Sequence, residues 1–141
     1  MAKILVVEDD RDLNEAYRLI LEREKHKVET VYDGQQALDK LKKFKPDLIL
    51  LDLLMPIKSG VDFLREYNQI DTDPNVKVIV FTNLENAPEI NEAFRLGAYK
   101  CIVKSWTAPQ GLVKVINDIL SPAAGRRRLK LARAKAPAGH R

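Results

Sequence analysis

A chain of 141 residues, 45% apolar and 31% charged, can bury one substantial core and has the balance of an ordinary globular domain. One cysteine excludes an internal disulfide framework and suits a reducing compartment. The apolar run in MAKILVVEDD is too short for a signal peptide and no run is long enough to span a membrane, so a cytoplasmic protein is expected. The net charge of +4 belongs to one end. Seven basic residues and no acid lie beyond Ser121, leaving the first 120 residues with 17 basic against 20 acidic side chains, about −3.

In chain order, the β-branched and leucine run Ile4–Val7, bounded by charge, predicts a buried strand. Between Asp10 and Glu24, Leu13, Ala16, Tyr17, Ile20 and Leu21 recur at helical spacing. Val28–Tyr32 alternates like a strand. Asp33-Gly34 marks a turn, and Ala37, Leu38, Leu41 and Phe44 form the next helical stripe, ended by Lys45-Pro46. Leu48–Leu51 is again an apolar strand. Ser59-Gly60 opens a helix carrying Val61, Phe63, Leu64 and Tyr67, and Asp71–Asn75 reads as a loop. Val76–Phe81 is a strand, Ala87–Leu96 a helix closed by Gly97, and Cys101–Val103 a short strand. Pro109 begins a last helix with the stripe Leu112, Val113, Val115, Ile116, Ile119 and Leu120.

The order is strand then helix, five times over, with short connections and apolar central strands. That pattern predicts an α/β fold, a doubly wound parallel sheet with helices on both faces. Such sheets bind ligands beyond the carboxyl ends of their strands, so the residues just after each strand matter most. They are Glu8, Asp9 and Asp10 after the first, Asp52 after the third, Thr82 after the fourth and Lys104 after the fifth.

The stretch DLILLDLLMP at 47–56 sets a charge, Asp52, in an apolar run. An isolated buried carboxylate costs several kcal/mol or gives up its charge, so Asp52 is expected at the strand end, exposed on a charged shelf. Carboxylates from separate strands would repel one another there. Mg²⁺ takes a few carboxylate oxygens, a carbonyl and several waters, and relieves the repulsion. A carboxylate can also attack a phosphoryl group and hold it as an acyl phosphate, in a reaction governed by positioning and charge neutralisation. Asp52 is then the nucleophile, with Mg²⁺, Lys104 and the Thr82 hydroxyl as neutralising groups.

Over residues 1–120 the chain resembles the receiver domain of bacterial response regulators. The matching residues are ILVVEDD at 4–10, LLDLLMP at 50–56, Gly60, VIVFTN at 78–83, GA at 97–98 and IVK at 102–104. The resemblance implies a flavodoxin-like (βα)5 sheet of strand order 2-1-3-4-5. It implies that Asp52 takes a phosphoryl group from a histidine kinase or phosphotransfer protein. Glu8, Asp9, Asp52 and the Leu54 carbonyl would hold Mg²⁺, while Thr82 and Lys104 bind the phosphoryl oxygens. The implied output surface is the fourth helix, fifth strand and fifth helix, residues 86–120, meeting a downstream protein or a second copy. The domain would be no enzyme beyond its own phosphoryl uptake and slow dephosphorylation.

Three positions depart from the family's pattern. Ser105 stands where a cis proline is common, and a non-proline cis bond costs roughly 3–4 kcal/mol, so a trans loop of different shape is expected. Cys101 stands at the position of the aromatic switch partner of Thr82, which leaves Tyr99 or Trp106 as other routes. Asn83 replaces a small residue and is expected to narrow access for the phosphodonor. At the two positions through which the family tunes phosphoryl loss stand Leu54 and Leu84. Neither can orient a water, so slow self-hydrolysis is expected.

Other readings carry distinct signatures. Cys101, Ser105 and Asn83 favour a degenerate module that binds protein without phosphorylation. A flavin or nucleotide enzyme needs a phosphate loop after the first strand, where EDDRD stands; an aspartate-based phosphatase needs a second acid at Leu54. Asp10 is expected to cap the first helix, Cys101 to be a small core residue, and His26 to be solvated. Trp106 could pack or lie exposed. The tail 121–141, with His140, is expected to be a disordered basic segment. With no helix-turn-helix pattern and no aromatics among its arginines, neither nucleic-acid nor membrane binding is expected of it.

Overall fold

In the computed structural model, which describes residues 1–121 apart from the Trp106 side chain, five parallel strands form one sheet. They are β1 (Lys3–Val7), β2 (Lys27–Val31), β3 (Leu48–Leu51), β4 (Lys77–Thr82) and β5 (Lys100–Val103). Their order is β2-β1-β3-β4-β5, as the resemblance implied. The helices are α1 (Arg11–Arg23), α2 (Gly34–Leu41), α3 (Gly60–Tyr67), α4 (Pro88–Arg95) and α5 (Pro109–Leu120).

Alternation along each strand divides the core in two. Leu5, Val7, Ile49, Leu51, Val78 and Val80 point to one face and meet Leu41, Phe63, Leu64 and Ala93 from α2, α3 and α4. Ile4, Val6, Leu48, Leu50, Ile79 and Phe81 point to the other and meet Tyr17, Leu21, Leu112 and Ile116 from α1 and α5. The central strand β3 is buried along its whole length, which is why its sequence is unbroken leucine and isoleucine.

The helix starts follow local chemistry. Asp10 accepts from the Leu13 amide at 3.0 Å, Asp33 from Gln36 at 2.8 Å and Ser59 from Asp62 at 3.1 Å. α4 and α5 begin instead with a proline in the first turn and no side-chain cap. Gly97, just past α4, has φ +114°, and a Cβ there would lie 2.4 Å from Gln69 Oε1, so only glycine fits.

The structure corrects several expectations. Residues 71–75 are not all loop, because a helical turn spans Gln69–Thr72. Asn68 turns left-handed at φ 51° and ends α3, and the buried Gln69 Nε2 donates to the carbonyls of Asp73 and Val76, both at 3.0 Å. A 3-10 turn, Lys104–Trp106, follows β5. His26 is not solvated: Nδ1 accepts from the Ala2 amide at 3.1 Å and Nε2 meets Asn117 Oδ1 at 2.9 Å, tying the start of the chain to α5. Among the described residues no peptide is cis, so the bond before Ser105 is trans, as the absence of proline there leads one to expect. None of the described helices is long and apolar enough to cross a membrane. The expectations for the basic tail from residue 122, for His140 and for the Trp106 side chain lie outside what is described.

Candidate functional site

The carboxyl ends of β1 and β3 fix two acids side by side. The Asp52 amide donates to the Val7 carbonyl at 3.1 Å and extends the ladder one residue past β3. Beyond it, the Gly60 amide donates to the Leu53 carbonyl at 3.0 Å. A Cβ at Gly60 would stand 2.5 Å from the Asp52 carbonyl oxygen, so α3 can begin this close only with glycine. Glu8 is held by its amide on Val31 at 3.1 Å. Asn14 of α1, 1% exposed, donates to the carbonyls of Glu8 and Val31 at 3.0 and 2.9 Å. Sequence reasoning missed Asn14. Its signal was a polar side chain in phase with Tyr17 and Leu21 on the buried stripe.

Lys104 closes the site. Its Nζ donates to Glu8 Oε1 at 2.5 Å and to Asp52 Oδ2 at 2.9 Å. The remaining oxygens are also engaged, Glu8 Oε2 by the Asp10 amide at 3.0 Å and Asp52 Oδ1 by the Leu54 amide at 3.3 Å. Burial pushes the Glu8 carboxyl above its usual range, against the pull of Lys104. Burial works to lower Lys104, but its hydrogen bonds to Glu8 and Asp52 outweigh this and hold the ammonium above its ordinary value.

Asp52 is therefore not on an exposed shelf. Its side chain is 8% exposed and paired with Lys104, and Asp9 is the exposed member of the cluster. Carboxylate oxygens of Glu8, Asp9 and Asp52 lie within 4.8 Å of one another. Three hard oxygen donors against one ammonium leave a surplus of negative charge, which suits a divalent cation such as Mg²⁺.

The other predicted residues lie around this cluster. Thr82, fully buried, ends β4 opposite Val103, and its hydroxyl takes the Leu84 amide at 3.4 Å within its own loop. The Leu54 side chain is exposed, while Leu84 and Cys101 are half-buried against the core on the α4 side. Burial pushes the Cys101 thiol up. Asn83 does not reach over the acids: its Oδ1 accepts from the Ser105 amide at 3.0 Å. Beside β5 runs a groove of about 730 Å³, lined by the apolar Leu84, Ile90 and Phe94 and by the polar Glu85, Asn91 and Lys100.

Known proteins resemble this chain over most of its length. The sequence profile of the response regulator receiver domain matches residues 4–117. Protein CcdB of Bacillus subtilis is 38% identical over 105 residues, covering 74% of this chain and 86% of that protein. Chemotaxis protein CheY of Thermotoga maritima is 30% identical over 118 residues, covering 83% and 96%. The solved structure of Vibrio cholerae chemotaxis protein CheY4 superposes with a TM-score of 0.77 at 28% identity, over 85% of this chain and 99% of that one. The phosphorylation-independent module finds no support over the receiver reading in these matches. From its first strand into its last helix, the chain belongs to the response regulator receiver domain family of two-component signalling.

Proposed function

We propose that Asp52 takes a phosphoryl group from a histidine kinase or phosphotransfer protein and that the change is passed to the α4-β5-α5 face. The observation that carries this reading is the Lys104 ammonium spanning Glu8 and Asp52 at 2.5 and 2.9 Å, with Asp9 open beside them. Glu8, Asp9, Asp52 and the Leu54 carbonyl are the groups to hold magnesium. Bound there, the ion supplies positive charge against the phosphoryl oxygens.

In the reaction a carboxylate oxygen of Asp52 attacks phosphorus. The new O–P bond forms as the donor's P–N bond breaks, and the electron pair leaves with the donor imidazole. Lys104 then exchanges its contact with Asp52 for one with a phosphoryl oxygen, and the Thr82 hydroxyl, buried one strand away, turns to donate to another. Thr82 and Cys101 relay the change: both line the α4 side of the sheet, where movement of one alters the groove beside β5. A receiver domain's targets are proteins, and the groove's mixture of apolar and charged side chains suits a downstream protein or a second copy of this chain.

Incubation with acetyl phosphate and Mg²⁺ tests the reading. A mass gain of one phosphoryl group, lost in Asp52→Asn, supports it; no gain in the unmodified protein sinks it. Leu54 and Leu84 offer an attacking water no polar group, so the phosphorylated state should decay slowly. A lifetime no longer than that of a variant carrying Asn at 54 and Glu at 84 would contradict this.

A further inference from the structure

We infer that Asn83 is a positioning residue that holds the Lys104 turn in place for phosphoryl uptake, an inference that rests on the reading above. The Asn83 carboxamide oxygen accepts from the Ser105 amide at 3.0 Å across 22 residues of sequence. Asn83 directly follows Thr82, and Ser105 directly follows Lys104. The last paired residues of β4 and β5 are Thr82 and Val103. The clasp therefore continues the pairing past the end of the sheet, with a side chain serving where backbone pairing has stopped.

The need for such a clasp follows from where Lys104 starts and where it must reach. β5 is an edge strand, paired on β4 alone. From the turn after it, the ammonium extends past β4 to Asp52 on β3 and Glu8 on β1, partners 52 and 96 residues away. A shift of the turn would have to be taken up by the lysine stem, at a cost in alignment, to keep contacts of 2.5 and 2.9 Å. Inside the turn, the Thr107 amide bonds to the Lys104 carbonyl at 3.2 Å and the Thr107 hydroxyl to the Val103 carbonyl at 3.3 Å. These bonds close the turn on itself. The Asn83–Ser105 bond links it to the strand bearing Thr82.

The two residues also depend on each other. Opening amides of a helical turn have no partner within it, and Ser105 has such an amide. A proline there would have none to donate, and Asn83 would then have nothing to hold. Two departures from the family's pattern, at 83 and 105, thus form one contact.

The test uses the whole chain with acetyl phosphate and Mg²⁺, comparing Asn83→Ala, Asn83→Asp and Asn83→Ala combined with Lys104→Met. Asn83→Ala should slow phosphorylation about fivefold, the population equivalent of one ordinary hydrogen bond. Its Mg²⁺ affinity should not fall, because Glu8, Asp9 and Asp52 are untouched and a loosened Lys104 competes less for them. Hydrogen exchange at the Ser105 amide should quicken in Asn83→Ala and return to the original rate in Asn83→Asp, which keeps the acceptor oxygen. In the Lys104→Met background the alanine should bring no further loss. Unmodified uptake in Asn83→Ala, or an equal loss with Lys104 absent, overturns the inference. If the unmodified protein takes no phosphoryl group, the proposed function fails by itself. Ser105 exchange then decides the clasp alone: quickening in Asn83→Ala supports it and an unchanged rate overturns it.

Discussion

α3 and α4 are each eight residues long and pack on the same side of the sheet, yet they are held very differently. α3 buries Gly60, Val61, Phe63, Leu64 and Tyr67, whereas Ala93 alone is buried in α4. α3 starts from a serine cap and presses its glycine against the Asp52 carbonyl; α4 starts from Ala87 without a side-chain cap, after Asn86 at φ 53°. Its polar tie to α3 is the Arg65–Glu92 pair at 3.2 Å, a partly exposed contact of the kind that contributes little beside the shared apolar packing. The side that positions the nucleophile is locked by packing and charge. The side facing the groove is held by few buried contacts, the kind of element from which moving parts are drawn. A receiver needs both, since a fixed acceptor transmits nothing unless something beside it can shift cheaply.

The largest effect that would sharpen this contrast is Lys104→Met. Removing one partner of a buried charge cluster should cost about 3–5 kcal/mol in metal-free buffer, because Glu8 and Asp52 are left uncompensated. Magnesium should restore part of that loss, so added Mg²⁺ should raise the melting temperature of the variant more than that of the original. Equal Mg²⁺ responses would mean that ammonium and cation do not share the same acids.

Gly60→Ala should cost about 3 kcal/mol by forcing α3 off Asp52 and Leu53. It should slow phosphoryl uptake in the same protein, measured by denaturant unfolding and by the acetyl phosphate assay. A loss of stability with uptake intact would separate the α3 contact from the site.

The buried wall beside Glu8 and Asp52 gives a pH test. Tyr17, edge-on to Phe81 at 5.4 Å, has its phenol pushed up to about 12 by burial. A folded value above the unfolded 10 contributes stability that is whole below pH 10 and lost as pH rises through about 12. The original should lose about 2–3 kcal/mol relative to Tyr17→Phe across that window, read as the difference between the two unfolding curves. Parallel curves would mean that the ring is wetter than its packing indicates.

The smallest effect belongs to the groove. Ile90→Ala, on the half-buried face of α4, should cost about 1 kcal/mol. A cost as large as that of Phe63→Ala in the core, about 3–5 kcal/mol, would erase the contrast between the two helices.

Much of this was legible in the chain. Strand β3 coincides with its predicted span because four consecutive buried aliphatic residues fit only a central strand. Asp10, Ser59 and Pro109 announce helix starts through local hydrogen bonding and fixed φ, which need no tertiary partner. The helical turn at 69–72 was hidden because Asp71, Thr72 and Asp73 read as loop, while the buried Gln69 that organises it draws on carbonyls four and seven residues ahead. His26 gave no sign of Asn117, 91 residues away.

By itself the sequence determined five strand–helix units, a carboxylate or its partner at the end of four strands, and the family. Periodicity and residue type carry that information locally. Only the tertiary structure decided which atoms meet. It paired Lys104 with Glu8 and Asp52, turned Asn83 toward Ser105 and closed Asp52 off from solvent. Those contacts depend on the register of non-adjacent strands and on the direction each side chain leaves its backbone. Both are set when the sheet and its covering helices pack together.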